Sequence, residues 1–468
     1  MMETQACVIG AGPGGYVCAI RLAQYGIKTI LVEKEPRLGG VCLNWGCIPS
    51  KAYIQAAKLW DQMGSASEIG IKVTDPEVDL AAMKKWKDGI VQRLTGGIAD
   101  LMKRHKVDIV HGTATFTGKD TISVAGKDGK QTIKANNFVV ATGSSSIDIP
   151  GFDVDEKTIV SSTGALDFES VPESLLVIGG GVIGLEIGQY LMKFGTKLTV
   201  VEMMDQLLPG TDKDCVKVVA RKLKKGKAAV HLKSKAVGCK KSKGGVAVTF
   251  ETPKKKETVT VEKVLVSVGR RPNSKGLGLE KAGVKIDQRG FIEVNERLQS
   301  SNPNIYAIGD VAGPPLLAHK GSKEGLVAAA VISGKPEVMD VRAMPAAIFT
   351  SPEIASVGMT EEEAKKAGHE INVGTFPMAA SGRALAGRET DGTIKIIADK
   401  KTDLLLGAHF CGPAASELVA EASLAIEAGL CAEDLALTVH THPTLAETVM
   451  EAAEDVHGMA VHIYNPKG

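Results

Sequence analysis

Two stretches of this chain repeat one plan at one spacing, and that repeat restricts the fold more than any other feature. QACVIGAGPGGYVCAIRLAQYGIKTILVEK reads as apolar strand, glycine turn, helix and second strand, with Gly10, Gly12 and Gly15 in a GxGxxG pattern and Glu33 closing the second strand. SLLVIGGGVIGLEIGQYLMKFGTKLTVVEM repeats the plan with Gly179, Gly181 and Gly184 and ends on Glu202; the step from first glycine to acid is 23 residues in both. One GxGxxG is a weak signal, but two in strand, turn and helix context, each with an acid at matching distance, are strong. The first glycine allows the tight turn, the second lets a pyrophosphate approach the backbone, and the third lets helix and strand pack closely. The phosphates then rest on the helix N-terminus. Glu33 and Glu202 are expected to accept hydrogen bonds from an adenosine ribose diol, and a carboxylate there repels a 2′-phosphate. FAD-like and NAD cofactors are therefore predicted, rather than NADP.

Further apolar strands ending in glycine, NNFVVATGSSS (136 to 146) and EKVLVSVGRRPN (262 to 273), stand at similar places in the two repeats. In NIYAIGD, Asp310 follows Gly309 at a strand end, the side on which open α/β sheets usually meet ligands. From about residue 345 the pattern becomes a mixed domain without a nucleotide fingerprint.

Cys42 and Cys47, in GGVCLNWGCIPSK, follow the first repeat. Residues i and i+5 of an ideal helix lie about 8.6 Å apart between α-carbons, beyond the roughly 7 Å a disulfide tolerates. If the two bond, the backbone between them leaves the helix, which Asn44 and Gly46 permit. Pro49 then suits the first turn of a helix through SKAYIQAAKLW. At that N-terminus the helix dipole and Lys51 are expected to favour thiolate. On spacing alone, packing cysteines and a redox pair are equally good readings. The other six of the eight cysteines read as structural, and none makes a metal-ligand spacing, so no metal is expected.

Composition removes other classes. A net charge of +2 and 4% aromatic residues leave no nucleic-acid footprint. No 18-residue apolar run is present to span a membrane and no signal peptide is recognisable, so a cytoplasmic location is expected. A dithiol enzyme needs a base, because thiolate is the attacking form. His442 with Glu447 in HTHPTLAE fits a His-carboxylate pair, but the pattern alone does not separate His442 from His440. Lys51 and Glu186 form a second possible constellation, although on the residues alone a solvated lysine and a helix-surface glutamate are the simpler reading.

Together these residues resemble the flavoprotein disulfide reductases (class I pyridine nucleotide-disulfide oxidoreductases), over essentially the whole length. The carrying motifs are GGVCLNWGCIPSK, GGGVIGLE followed by VVEM, YAIGD followed by LLAHKGSKEG, FTSPEIASVG and HTHPTLAE. The likeness is greatest to the branch that oxidises dihydrolipoamide with NAD⁺ as E3 of 2-oxo acid dehydrogenase complexes. It implies an α/β fold of the glutathione-reductase type, with two Rossmann-like dinucleotide-binding domains and a C-terminal α+β dimerisation domain. The implied boundaries are 1–148 for FAD, 149–272 for NAD, 273–344 for a central portion completing the FAD site, and 345–468 for the interface.

The resemblance also implies roles. Cys42 meets the dithiol substrate, Cys47 lies against the flavin, His442 and Glu447 serve the partner subunit's disulfide, and Lys51 pairs with Glu186 beside the flavin. FAD contacts carried over by position are Gly10, Gly12, Gly15, Glu33, Cys42, Lys51, Ala114, Thr142, Gly143, Ser144, Asp310 and Ala318. NAD contacts are Gly179, Gly180, Gly181, Val182, Ile183, Gly184, Glu202, Ala236, Gly269 and Arg270. The expected partners are a second copy of the chain and lipoyl-bearing proteins on an E2 core, since no lipoyl domain precedes Met1. Glutathione-type members hold NADPH with arginines, where this chain has Met203 and Met204 after Glu202. Mercuric reductases end in a cysteine pair; this chain ends VHIYNPKG. Trp45, Gly321 in place of a usual alanine, and Cys411 depart from the common pattern. A reductase of another disulfide is the alternative.

Overall fold

The computed structural model describes residues 1–127 and 129–464, and the chain divides into two compact units built from non-contiguous segments. The first comprises Met1–Ile149, Ser161–Ser170 and Val268–Asp340; the second comprises Pro150–Val160, Val171–Ser267 and Val341–Gly468.

In the first unit, strand β1 (Met2–Ile9) lies parallel to β2 (Thr29–Glu33) on one side and to the strand Gly129–Val140 on the other. Val8 stands opposite Leu31 and Val139, all essentially buried, as expected of parallel strands covered on both faces. Ile305–Ala307 extends the sheet alongside Gly129–Val140, bringing the chain back before Asp310. Helix α1 (Pro13–Gln24) starts directly after the turn, with Gly12 as N-cap and Pro13 at its first position, where a missing N–H costs nothing. Gly10 has φ +103°, and a Cβ there would lie 2.4 Å from the Ala141 carbonyl oxygen.

Small residues also let α1 meet the helix Ala318–Ile332. A Cβ on Gly14 would lie 2.8 Å from the Gly321 oxygen, and one on Gly325 would lie 2.5 Å from the Gly14 oxygen. Gly321 faces the Gly309 α-carbon, which a Cβ would approach to 3.2 Å. The glycine thus relieves a tight crossing just where the Asp310 turn must be held.

In the second unit, Ser174–Ile178 is central to a parallel sheet, flanked by Lys197–Val201 and Lys263–Val266. A three-stranded antiparallel meander, Lys235–Ser242, Gly245–Glu251 and Lys256–Val261, carries the lysine-rich tip. The C-terminal part of the unit is a five-stranded antiparallel sheet with Leu405–Gly412 in the middle. Its core joins Ile394, Ile396 and Phe410 with Val419, Ala422 and Val449 from the helices packed on it. No helix among the described residues is long and apolar enough to cross a membrane.

Candidate active site

Both fingerprints make the same cradle. Glu33, buried at the end of β2, accepts a hydrogen bond from the Ala11 amide at 2.7 Å and another from the Glu35 amide at 2.9 Å. Glu202, equally buried, accepts from Gly180 at 2.6 Å and Met204 at 2.7 Å. Each carboxylate is therefore fixed by the amide one residue after the first glycine and by the amide two residues beyond itself. The last glycines are closed to side chains, since a Cβ on Gly15 would lie 1.9 Å from the Gly10 oxygen and one on Gly184 would lie 2.5 Å from the Gly179 oxygen. The middle glycines are open: a Cβ on Gly12 or Gly181 would meet nothing within 4 Å. Neither the helix N-terminus after Gly12 nor that after Gly181 is capped by a side chain. Two helix N-termini with uncapped amides, each beside a fixed acid, fit two dinucleotides.

In the first unit, Thr142, Gly143 and Ser144 follow the strand Gly129–Val140. Thr142 Oγ1 donates to the Asn273 carbonyl at 2.8 Å, and Asn273 Nδ2 returns a bond to the Thr142 carbonyl at 2.9 Å. Ser144 Oγ donates to Asp310 Oδ2 at 2.5 Å. Gly269 and Arg270, predicted among the NAD contacts, belong to this unit. Arg270 donates from Nε to Ser144 Oγ at 2.7 Å and from Nη2 to the Ser144 carbonyl at 2.6 Å. Burial lowers the pKa of its guanidinium, against the attraction of Asp310 and the Cys47 sulfur. Ala114 is buried on the strand Thr113–Phe116, and Ala318 opens its helix. Ala236 lies on the meander strand Lys235–Ser242 of the second unit.

The turn bearing Asp310 is held by residues that sequence reasoning missed. Lys320 Nζ donates to the Gly313 carbonyl at 2.9 Å and lies 2.9 Å from Glu324 Oε1, while Glu324 Oε2 accepts from the Gly309 amide at 2.6 Å. Both side chains are buried, and burial raises the Glu324 carboxyl pKa, opposed by Lys320. The only sequence signal was LLAHKGSKEG with lysine and glutamate four apart on a helix. Lys320→Met should leave Glu324 unpaired, costing about 3 to 5 kcal/mol, and loosen Asp310. Gel filtration of the variant should show FAD lost from the protein; full retention would remove Lys320 from the flavin's support.

Cys42 and Cys47 sit at a break between helices. Helix α2 (Gly40–Trp45) carries Cys42, and α3 (Cys47–Gly64) begins on Cys47. Gly46 makes the break, at φ −140° and ψ −111°. Asn44, expected to share that departure, stays helical because its Nδ2 donates to the Leu38 and Gly40 carbonyls, each at 3.0 Å. Both cysteines are thiols in the structure, Cys42 half-buried and Cys47 exposed. The expectation that position favours thiolate needs correcting for Cys42. Its hydrogen bond with Cys47, then burial, then the charge of Cys47 push its pKa well up, and Lys51 opposes them only weakly. The proton therefore stays on Cys42.

Lys51 is half-buried on α3, 3.3 Å from Ser50 Oγ. Glu186, in the second unit, is buried on the helix Val182–Lys193, where Oε1 accepts from the Phe349 amide at 2.9 Å. Three residues on, Gln189 accepts from Ser351 at 2.7 Å, so this helix fixes the FTSPE stretch.

Geometry separates His440 from His442, both in the second unit. His440 is engaged at both ring nitrogens, Nδ1 with the Thr438 carbonyl at 2.7 Å and Nε2 with Glu421 at 2.9 Å, and its side chain is 6% exposed. His442 uses only Nδ1, 2.8 Å from Glu447 Oε1, and is 81% exposed, so Nε2 is presented outward. Glu447 Oε2 accepts from the Thr444 amide at 2.7 Å. That bond, then the His442 contact, hold its carboxyl below the usual range. An oriented, open imidazole backed by a carboxylate is built to take a proton.

Residues 4–325 match the model of the pyridine nucleotide-disulphide oxidoreductases, and 344–453 match the dimerisation domain of the same group. The chain belongs to this family. It is an oxidoreductase of the glutathione-reductase type of α/β fold, and its cofactors are FAD and NAD. It is 48% identical to a dihydrolipoyl dehydrogenase of Thermus scotoductus over 98% of each chain. It is 47% identical to one of Geobacillus stearothermophilus, covering 99% of this chain and 98% of that one. Among solved structures, LpdA of Mycobacterium tuberculosis superposes with TM-score 0.90 at 25% identity, over 96% of this chain and 99% of that one. The HOCl-induced flavoprotein disulfide reductase RclA of Escherichia coli gives 0.86 at 27% identity, over 96% and 99%.

Proposed function

We propose that the protein oxidises dihydrolipoamide to lipoamide and reduces NAD⁺ to NADH, as the E3 component serving 2-oxo acid dehydrogenase complexes or glycine cleavage. What carries this reading is the full-length likeness, 47 to 48% identical, to proteins named for that reaction. The roles of His442 and Glu447 rest on geometry, and those of Cys42 and Cys47 on the resemblance. His442 Nε2 takes the proton of a substrate thiol, and Glu447 stabilises the imidazolium. The thiolate attacks Cys42 Sγ, the Cys42–Cys47 bond breaks, and Cys47 leaves as thiolate. The second substrate thiol then displaces Cys42, its proton passing to the departing Cys42 sulfur, and closes the lipoamide disulfide, while the first proton stays on His442. The upward push on the Cys42 pKa favours that last step. When bound, FAD would supply the two-electron link between the dithiol and NAD⁺. Lys51, Ser144, Asp310 and the first fingerprint hold the flavin, and the second fingerprint holds NAD.

In this reading the protein works as a homodimer, with His442 and Glu447 serving the partner subunit's redox pair. The matched dimerisation domain supports this, as does apolar surface near the dyad: Leu437 is 74% and Val439 94% exposed. Dihydrolipoamide oxidation followed with NAD⁺ and NADP⁺ side by side tests the activity, and no NADH from the yellow holoprotein would end the reading. Glu202→Arg tests the coenzyme assignment. The variant loses the acceptor for Gly180 and Met204 and places a cation near the 2′ position, so KM for NAD⁺ should rise at least about tenfold while NADP⁺ improves. An unchanged preference would contradict the ribose role.

A further inference from the structure

The second unit contains a second pair of thiols that the proposed chemistry does not use. Cys215 is the third residue of the helix Lys213–Lys225, and Cys411 lies near the end of the central strand Leu405–Gly412, opposite both Thr393 and Ile354. Both are 0% exposed. Cys411 Sγ lies 3.8 Å from the Cys215 carbonyl oxygen, and Cys411 is the foremost influence on the Cys215 thiol. The other cysteines outside the redox pair differ: Cys239 and Cys431 contact the backbone carbonyls of Gly151 and Thr402, and Cys7 and Cys18 lie in the apolar core of the first unit.

The surroundings fix both partners. Asp212 caps the helix, accepting from the Asp214 and Cys215 amides. Lys395, on the neighbouring strand Thr393–Asp399, lies 2.8 Å from Asp212, 2.7 Å from Asp214 and 2.9 Å from Glu361. These three carboxylates form the acidic cluster of the second unit, and the ammonium fills the position a metal ion would take. Helix start and strand are thus tied by an ion network, buried at Lys395 and Asp212, two residues along the strand from the residue opposite Cys411. The hydrogen bond with Cys411, then burial, push the Cys215 pKa well up, so the Cys215 thiol is protonated and slow to react at rest.

We propose that Cys215 and Cys411 are a second, non-catalytic redox pair that a diazenedicarboxamide or hydroperoxide oxidant closes to a disulfide, stapling the helix to the central strand. With diamide, one thiolate adds to the N=N bond and the second attacks the resulting sulfur. The S–S bond forms, the S–N bond breaks, and the two thiol protons end on the hydrazine nitrogens. Because both sulfurs are buried, closure proceeds through local opening and is slower than at Cys42 and Cys47. The staple links residues 196 apart in sequence, so it restricts the unfolded chain strongly and should raise the thermal midpoint.

The test uses the FAD-loaded, full-length protein, incubated with diamide, alkylated under denaturing conditions and digested without reductant. A Cys215–Cys411 cross-linked peptide is expected, forming more slowly than the Cys42–Cys47 one. With it, the thermal midpoint should rise by several degrees and return after dithiothreitol. Cys411→Ala and Cys215→Ser should each abolish the cross-link and the shift while leaving dithiol turnover unchanged. Recovery of Cys215 and Cys411 fully alkylated from diamide-treated wild type, with Cys42 and Cys47 cross-linked, would overturn the proposal. A cross-link with no change in midpoint would overturn the staple.

Discussion

Replacing His442 by Gln should slow dihydrolipoamide oxidation by about 10²- to 10⁴-fold, the range supplied by a positioned general base. Gln keeps a hydrogen-bonding side chain but cannot carry the proton that Nε2 would take. FAD content and NADH oxidation by an artificial acceptor should survive, because neither needs the substrate thiol ionised. Glu447→Gln should have a smaller effect in the same direction: Thr444 and His442 hold that carboxyl low, so the wild-type anion persists well into acid and is what the amide removes. His440→Gln is the control. Its ring is buried between Thr438 and Glu421, so the variant should lose stability and keep its rate. A larger kinetic loss at His440 than at His442 would reverse the assignment.

The nucleotide cradles were legible because their physics is local. A turn that excludes Cβ at Gly10 and Gly15, followed at fixed distance by an acid, is written within one strand-helix-strand unit and needs no distant partner. The choice between His440 and His442 was not legible, since it depends on Glu421 and Glu447 arriving from helices on either side. The Lys320–Glu324 brace was readable as an i,i+4 pair, but surface pairs of that kind are common and weak. Only burial and the Gly309 amide make this one matter. The place of Arg270 was obscured for the opposite reason: in sequence it follows the second repeat, yet the chain has already returned to the first unit, where Ser144 takes two of its donors. Cys411 read as a small core residue, and it is buried; that it faces Cys215 is a long-range fact no spacing records.

Cys47→Ser should abolish turnover with dihydrolipoamide, because a hydroxyl cannot form the disulfide that substrate thiolate attacks. The same substitution makes a second, less obvious change at Cys42. In the reduced wild type the proton on Cys42 is held first by the hydrogen bond with Cys47, then by burial, then by the charge on Cys47. Serine is neutral at all working pH values, so the repulsive charge disappears, while burial stays and Lys51 still favours the anion. The Cys42 pKa should therefore fall in the variant, and at a fixed mildly alkaline pH iodoacetamide should modify Cys42 faster than in reduced wild type. If Cys42 reacts at the same rate in both proteins, burial alone sets its pKa and the two sulfurs do not share a proton. The division of labour between them would then need another cause than the hydrogen bond and charge that Cys47 now brings to bear on the Cys42 proton.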